Sequence, residues 1–112
     1  MAGKEGFGGI IMWRHKIPYR DIPEDERKAF YDKVHEAIRR AREKGLKQLG
    51  CYRCDWSSEW IGIRVFEFPD VEVFEELIRA WEEAGTERYF EARTIIGRRV
   101  GKDEDLAYGI FR

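Results

Sequence analysis

The 112-residue sequence has no asparagine, one glutamine (Gln48), two serines, two histidines and two cysteines. Several of these scarcities close a route to function. The serines, Ser57 and Ser58, sit together in a polar turn outside any nucleophile-elbow pattern, so a serine hydrolase is not expected. Cys51 and Cys54 form a single CxxC, whereas a structural zinc site needs four ligands and no second CxxC exists. Charge of one sign is also missing. The chain carries 21 Lys+Arg against 22 Asp+Glu, a net charge of -1, which removes the simplest reason to expect a nucleic-acid or anionic-membrane partner. No apolar run exceeds Ile10 to Trp13, far short of the ~20 residues that span a bilayer. No basic segment with an apolar stretch precedes a small-residue cleavage site, so the protein is read as cytoplasmic. Amides hydrolyse in hot cells, and their scarcity beside abundant Glu and Arg fits a heat-adapted source, with chance in a short chain as the plain alternative. In such a source an intracellular disulfide would be less surprising than usual.

What is present is charge and aromatic mass, 38% and 14% of residues. That much aromatic surface argues against disorder, and the length suits one domain, 1–112, with a core over 7–99 and a tail over 100–112. Phe7 to Ile17 is rich in β-formers and stops at Pro18, giving a first strand. Pro23 opens a helix with Asp21 placed to cap it and Glu24, Asp25 and Glu26 in its first turn, where carboxylates complement the helix dipole. Phe30, Val34, Ala37, Ile38 and Ala41 recur at helical spacing, and Gly45 terminates the run. Leu49 to Trp56 reads as a second strand and Trp60 to Phe68 as a third. Pro69-Asp70 caps a second helix with the stripe Phe74, Leu77, Ile78, Trp81, closed by Gly85. Glu87 to Ile96 is a fourth strand, and the tail ends in an apolar patch from Leu106 to Phe111. The order β-α-β-β-α-β predicts an α+β, ferredoxin-like antiparallel sheet with both helices on one face.

Such a sheet leaves its other face open, and an open aromatic face marks a partner or ligand. Assigned to it are Trp13 and His15, Tyr52 and Trp56, Arg64 with Phe66 and Phe68, and Glu91 with Arg93. Ile61, Ile63 and Val65 take the opposite face. A bulge at the glycines would invert strands one and two.

The stretch "GIRVFEFPDVEVFEELIRAWEEAG" followed by a terminal strand resembles the dimeric α/β-barrel superfamily. That group includes the antibiotic-biosynthesis monooxygenase-like, stress-responsive barrel and chlorite-dismutase-like families. The resemblance runs from Phe7 to about Arg99 and is one of pattern. It implies a homodimer whose paired sheets enclose a cavity for a small hydrophobic or heterocyclic ligand. The expected function is binding of a small aromatic or hydrophobic molecule, between paired sheets or between sheet and helices, with or without cofactor-independent or haem-linked chemistry on it. No family's catalytic residues are carried over; on the strand placements alone, His15 is the expected base or ligand, and Arg64 and Arg93 are expected to orient an anion. Trp13, Tyr52, Trp56 and Phe66 wall the cavity. No metal site is expected.

Other readings stand beside this one. RNA-recognition modules share the topology, but the stacking positions in Ile61 to Phe68 hold Ile63 and Val65, so nucleic acid is not the expected partner. A different protein chain could also cover the face, making the protein an interaction module without catalysis. Acylphosphatases share the order too, yet their catalysis resembles an Arg–Asn partnership that a chain without Asn cannot supply. Gly6-Phe-Gly8-Gly9 lacks the third glycine of a dinucleotide fingerprint and precedes a strand. His15 also reads as a solvated residue between Arg14 and Lys16, and His35 as a helix-flank residue. Arg64, Arg93, Glu67 and Glu91 also read as cross-strand ion pairs. On a regular strand Cys51 and Cys54 point to opposite faces roughly 10 Å apart, beyond the about 7 Å a disulfide tolerates. One is expected in the core and one near the surface or cavity.

Overall fold

The computed structural model describes residues 6–99. Four strands, β1 (Phe7–His15), β2 (Lys47–Arg53), β3 (Gly62–Phe68) and β4 (Phe90–Arg98), form an antiparallel sheet in the order β2-β3-β1-β4. Helices α1 (Glu24–Glu43) and α2 (Val71–Glu83) pack on one face of it. A four-residue helix, α3 (Thr86–Tyr89), leads into β4. This is the ferredoxin-like α+β arrangement that the element order implies. The tail with its apolar patch lies outside the described residues.

The helices form where the apolar spacing places them. The α1 stripe from Phe30 to Ala41 is buried, and in α2 Val73, Phe74, Leu77 and Trp81 are. The indole Nε1 of Trp81 donates to the Val34 carbonyl at 3.2 Å, tying α2 to α1 inside the core. Asp70 caps α2, its side chain accepting from the Val73 amide at 3.1 Å, a bond worth about 1 kcal/mol. Gly45 and Gly85 take positive φ (105° and 98°) just beyond the helix ends, where glycine pays no steric penalty. Asp21 does not cap α1. It belongs to a short 3-10 turn over Tyr19–Asp21, and Pro23 precedes the helix without a side-chain bond. The three first-turn carboxylates are left to serve that end electrostatically.

Strand limits shift by two or three residues. β1 ends at His15, β2 runs Lys47–Arg53, and Glu87 to Tyr89 is helical before β4 begins. Tyr89 is buried and donates its hydroxyl to Glu26, a bond that raises the phenol above its usual pKa and pins α3 to the start of α1.

The larger correction concerns the faces. Register pairs Gly9 with Phe66, Ile11 with Arg64 and Trp13 with Gly62, so these six share the helix side. Phe66 and Phe68 are buried there, Phe68 stacked on Phe74 with centroids 4.5 Å apart. Ile63 and Val65 face the open side with Ile10 and Met12. The reason is space. A Cβ built on Gly9 would lie 2.8 Å from Phe74 and 2.9 Å from Phe68, and one on Gly62 would lie 2.2 Å from the Trp13 ring. These glycines make the room that the rings fill. Neither cysteine enters the core: Cys51 is exposed, Cys54 half-buried, and both are free thiols.

Candidate functional site

Where the helices part over β1, β3 and β4, a cavity of about 370 Å³ remains between helices and sheet. Its floor holds Ile11, Trp13 and Arg64. Phe30, Tyr31 and Val34 of α1 form one wall, and Ile78 and Trp81 of α2 another. Glu82, Thr86 and Glu87 supply polar groups at the α2–α3 junction. Phe90, Ala92 and Thr94 come from β4, where Ala92 and Thr94 are exposed, so the space opens along that strand.

Arg64 is the cation of this space. It is half-buried, and its Nη1 donates to Gln48 Oε1 at 2.8 Å. Its guanidinium carbon lies 5.7 Å from the centre of the Trp13 ring and 5.9 Å from that of Trp81, within cation–π range of both. Gln48 reaches Arg64 because β2 carries a register irregularity between Gln48 and Gly50. Both flanking residues of the irregular step pair with neighbouring positions of β3, Phe66 and Val65.

The sequence-derived candidates divide. Trp13 and Arg64 meet in the cavity. Phe66 is nearby but lies wholly beneath α2, in ring contact with Phe74 and Trp81, so it is core support and not a wall. His15 is on the helix side but does not line the cavity. Its ring lies 5.0 Å from that of Phe90, which does line it. Burial holds the His15 imidazole below its ordinary pKa, so the folded state favours the neutral ring. The unfolded chain therefore binds the proton more readily, and stability is expected to fall as pH drops through about 6.5 toward the lowered folded value. Melting temperatures measured from pH 7 to 5 should fall more steeply for the native protein than for His15→Phe; equal slopes would contradict this placement.

Arg93 and Tyr52 stand on the open face, away from Arg64. Arg93 and Arg14 flank the Trp60 ring at 5.7 and 5.2 Å, and Arg14 pairs with Glu91. Trp56 is at the tip of the β2–β3 loop, 96% exposed. Glu67 pairs with Arg99 at 2.7 Å. Gln48 and Trp81, which both contact Arg64, were not among the sequence-derived candidates, and neither were the wall and rim residues Phe30, Glu82, Glu87 and Phe90. A sole amide in a chain otherwise stripped of amides was the available signal for Gln48; Trp81 looked like any helix-stripe aromatic.

Haem held by His15 does not fit this geometry. Among the described residues that line the cavity there is no histidine, cysteine or methionine, and Tyr31 alone is of a type that ligates haem iron. Nor do the described residues include a group of three or more His, Cys, Asp or Glu side chains able to hold a metal ion. No described helix is long and apolar enough to cross a membrane.

Comparison with solved structures agrees on the fold. Chlorite dismutase from Candidatus Nitrospira defluvii in complex with imidazole superposes with TM-score 0.75 at 19% identity, over 95% of this chain and 45% of that one. A double mutant of the same enzyme gives TM-score 0.75 at 20% identity, over 95% and 45%. A protein of unknown function from Rhodopseudomonas palustris gives TM-score 0.60 at 18% identity, over 88% of this chain and 85% of that one. The chain thus spans less than half the length of the chlorite dismutases, and at these identities the likeness establishes architecture alone. It meets the superfamily resemblance drawn from the sequence pattern at that level. No protein of curated function matches the sequence significantly. A family model does match, over residues 10–108, and the chain belongs to that family, one of unknown function designated DUF6616.

Proposed function

We propose that the protein binds a small aromatic or hydrophobic molecule in the cavity between its helices and sheet, and that it does so as a homodimer paired through the open sheet faces. The observation that carries the first part is the cavity itself. Its about 370 Å³ lies within the roughly 300–1,000 Å³ of small-molecule sites, and its walls combine apolar surface with a few convergent polar groups. The fold is shared with chlorite dismutases, one of them in complex with imidazole, which supports a small-molecule reading without locating a site. Any transformation of the ligand would draw on Arg64 and the Glu82–Glu87 rim.

The pairing rests on the open face. Ile10, Met12, Ile63, Val65 and Ile95 form an apolar strip across β1, β3 and β4, with Tyr52 57% exposed at one side. A surface of this kind is costly to leave in water. Tyr52 and Arg93 then belong to the contact between copies. The competing reading, an interaction module without catalysis, draws on Trp56 at its exposed loop tip.

Titration with 2-naphthol, followed by quenching of tryptophan fluorescence, tests the cavity. Ala92→Phe should fill its open side and abolish the quenching while the melting temperature holds. Native-like quenching in that variant would overturn the cavity reading. Light scattering should give twice the 13.4 kDa chain mass, and a single-chain mass at micromolar concentration would overturn the pairing.

A further inference from the structure

We infer that the ligand of this cavity is a planar aromatic carboxylate, with Arg64 as its anion anchor and Gln48 as the positioning residue that orients the anchor without neutralising it. This rests on the cavity reading above and narrows it to a ligand class. The first support is the partner that Arg64 has. Several other arginines of the chain pair with carboxylates, as in Arg14–Glu91, Arg39–Glu36, Arg53–Asp55 and Arg99–Glu67. Among the described residues Arg64 makes no such pair, although it is drawn further from water than Arg39 or Arg53. Its hydrogen-bond partner is the neutral amide oxygen of Gln48.

That choice has a chemical consequence. A guanidinium offers five N–H donors in a planar fork, and Gln48 takes one of them. The remainder keep their positive charge behind them in a largely apolar cavity whose carboxylates, Glu82 and Glu87, sit at the α2–α3 rim, and a ligand carboxylate can take two of those donors bidentately. A glutamate at position 48 would give the same reach with a neutralising charge. An amide orients the guanidinium without spending it.

The second support is shape. The guanidinium lies against Trp13 and Trp81, and Phe30 and Phe90 continue the aromatic lining beyond them. Flat rings on several sides favour a flat ligand that stacks or meets them edge-on. A carboxylate carried on an aromatic ring satisfies fork and walls together.

The probes are 2-naphthoate and its neutral isostere 2-naphthamide, titrated against the full chain by tryptophan quenching and calorimetry. Charge-assisted bonding should make naphthoate bind roughly 10- to 100-fold tighter. Arg64→Leu should erase that difference. Gln48→Glu should also erase it, by lowering naphthoate affinity alone, and it leaves the cavity walls untouched should Arg64→Leu fail to fold. Equal binding of both probes to the native chain, or a preference that survives Gln48→Glu, would overturn the carboxylate assignment and leave the cavity reading standing. Absence of binding by either probe would overturn both.

Discussion

Phe66→Ala is expected to cost about 3–5 kcal/mol of folding stability, with a fall in melting temperature of roughly 10–30 °C. Phe66 has no solvent exposure. Its ring meets those of Phe74 and Trp81 at 5.7 and 6.3 Å; its β1 register partner Gly9 has no side chain to swing into the void, and its β2 partner Gln48 is held by Arg64. The lost area and the residual cavity therefore add, which puts the cost at the upper end for a large-to-small change. Denaturant midpoints should drop while the dependence on denaturant concentration holds, the signature of lost stability without a change in the surface exposed. A cost below about 1 kcal/mol together with lost ligand affinity would instead make Phe66 a cavity wall.

Gly62→Ala should also have a large effect, and through the site as well as the fold. Adding a methyl to a strand glycine ordinarily stabilises by restricting the unfolded chain. Here the new Cβ would stand 2.2 Å from the Trp13 ring, 2.5 Å from a second of its atoms and 2.7 Å from a third. Trp13 must leave, and overpacking of this kind costs about 1–3 kcal/mol. The cavity loses part of its floor and Arg64 one of its two aromatic faces, so 2-naphthol quenching should disappear. Trp13→Ala removes the obstruction, and the double variant should be more stable than the sum of the two single losses predicts. Strict additivity would mean that the two positions do not meet.

How far the sequence carried this differs by element. The α1 stripe and the Asp70 cap were legible because both are local: period and cap chemistry are decided within a few residues. The face of β3 was not. Alternation separates Arg64, Phe66 and Phe68 from Ile63 and Val65 but does not say which set lies beneath the helices. That depends on Gly9 and Gly62 making room across strand boundaries, a tertiary fact. The same parity problem separated two arginines that look alike in the sequence. Arg64 pairs with Ile11 and Arg93 with Met12, adjacent residues of β1 that point to opposite faces. The expected Arg64–Arg93 clamp therefore does not form. The irregularity in β2 that brings Gln48 to the helix side falls beside Gly50, a position where the sequence permits a bulge without requiring one.

The Gln48–Arg64 hydrogen bond has one more consequence, which concerns how the protein ages. With no asparagine and no second glutamine, the side-chain amide at position 48 is the only one the chain has to lose. Hydrolysis there would turn glutamine into glutamate, adding one negative charge beside the cavity's cation. Chemical damage that in most proteins scatters over many surface amides is here confined to a single atom pair, and its product would be an intact fold with a self-neutralised site.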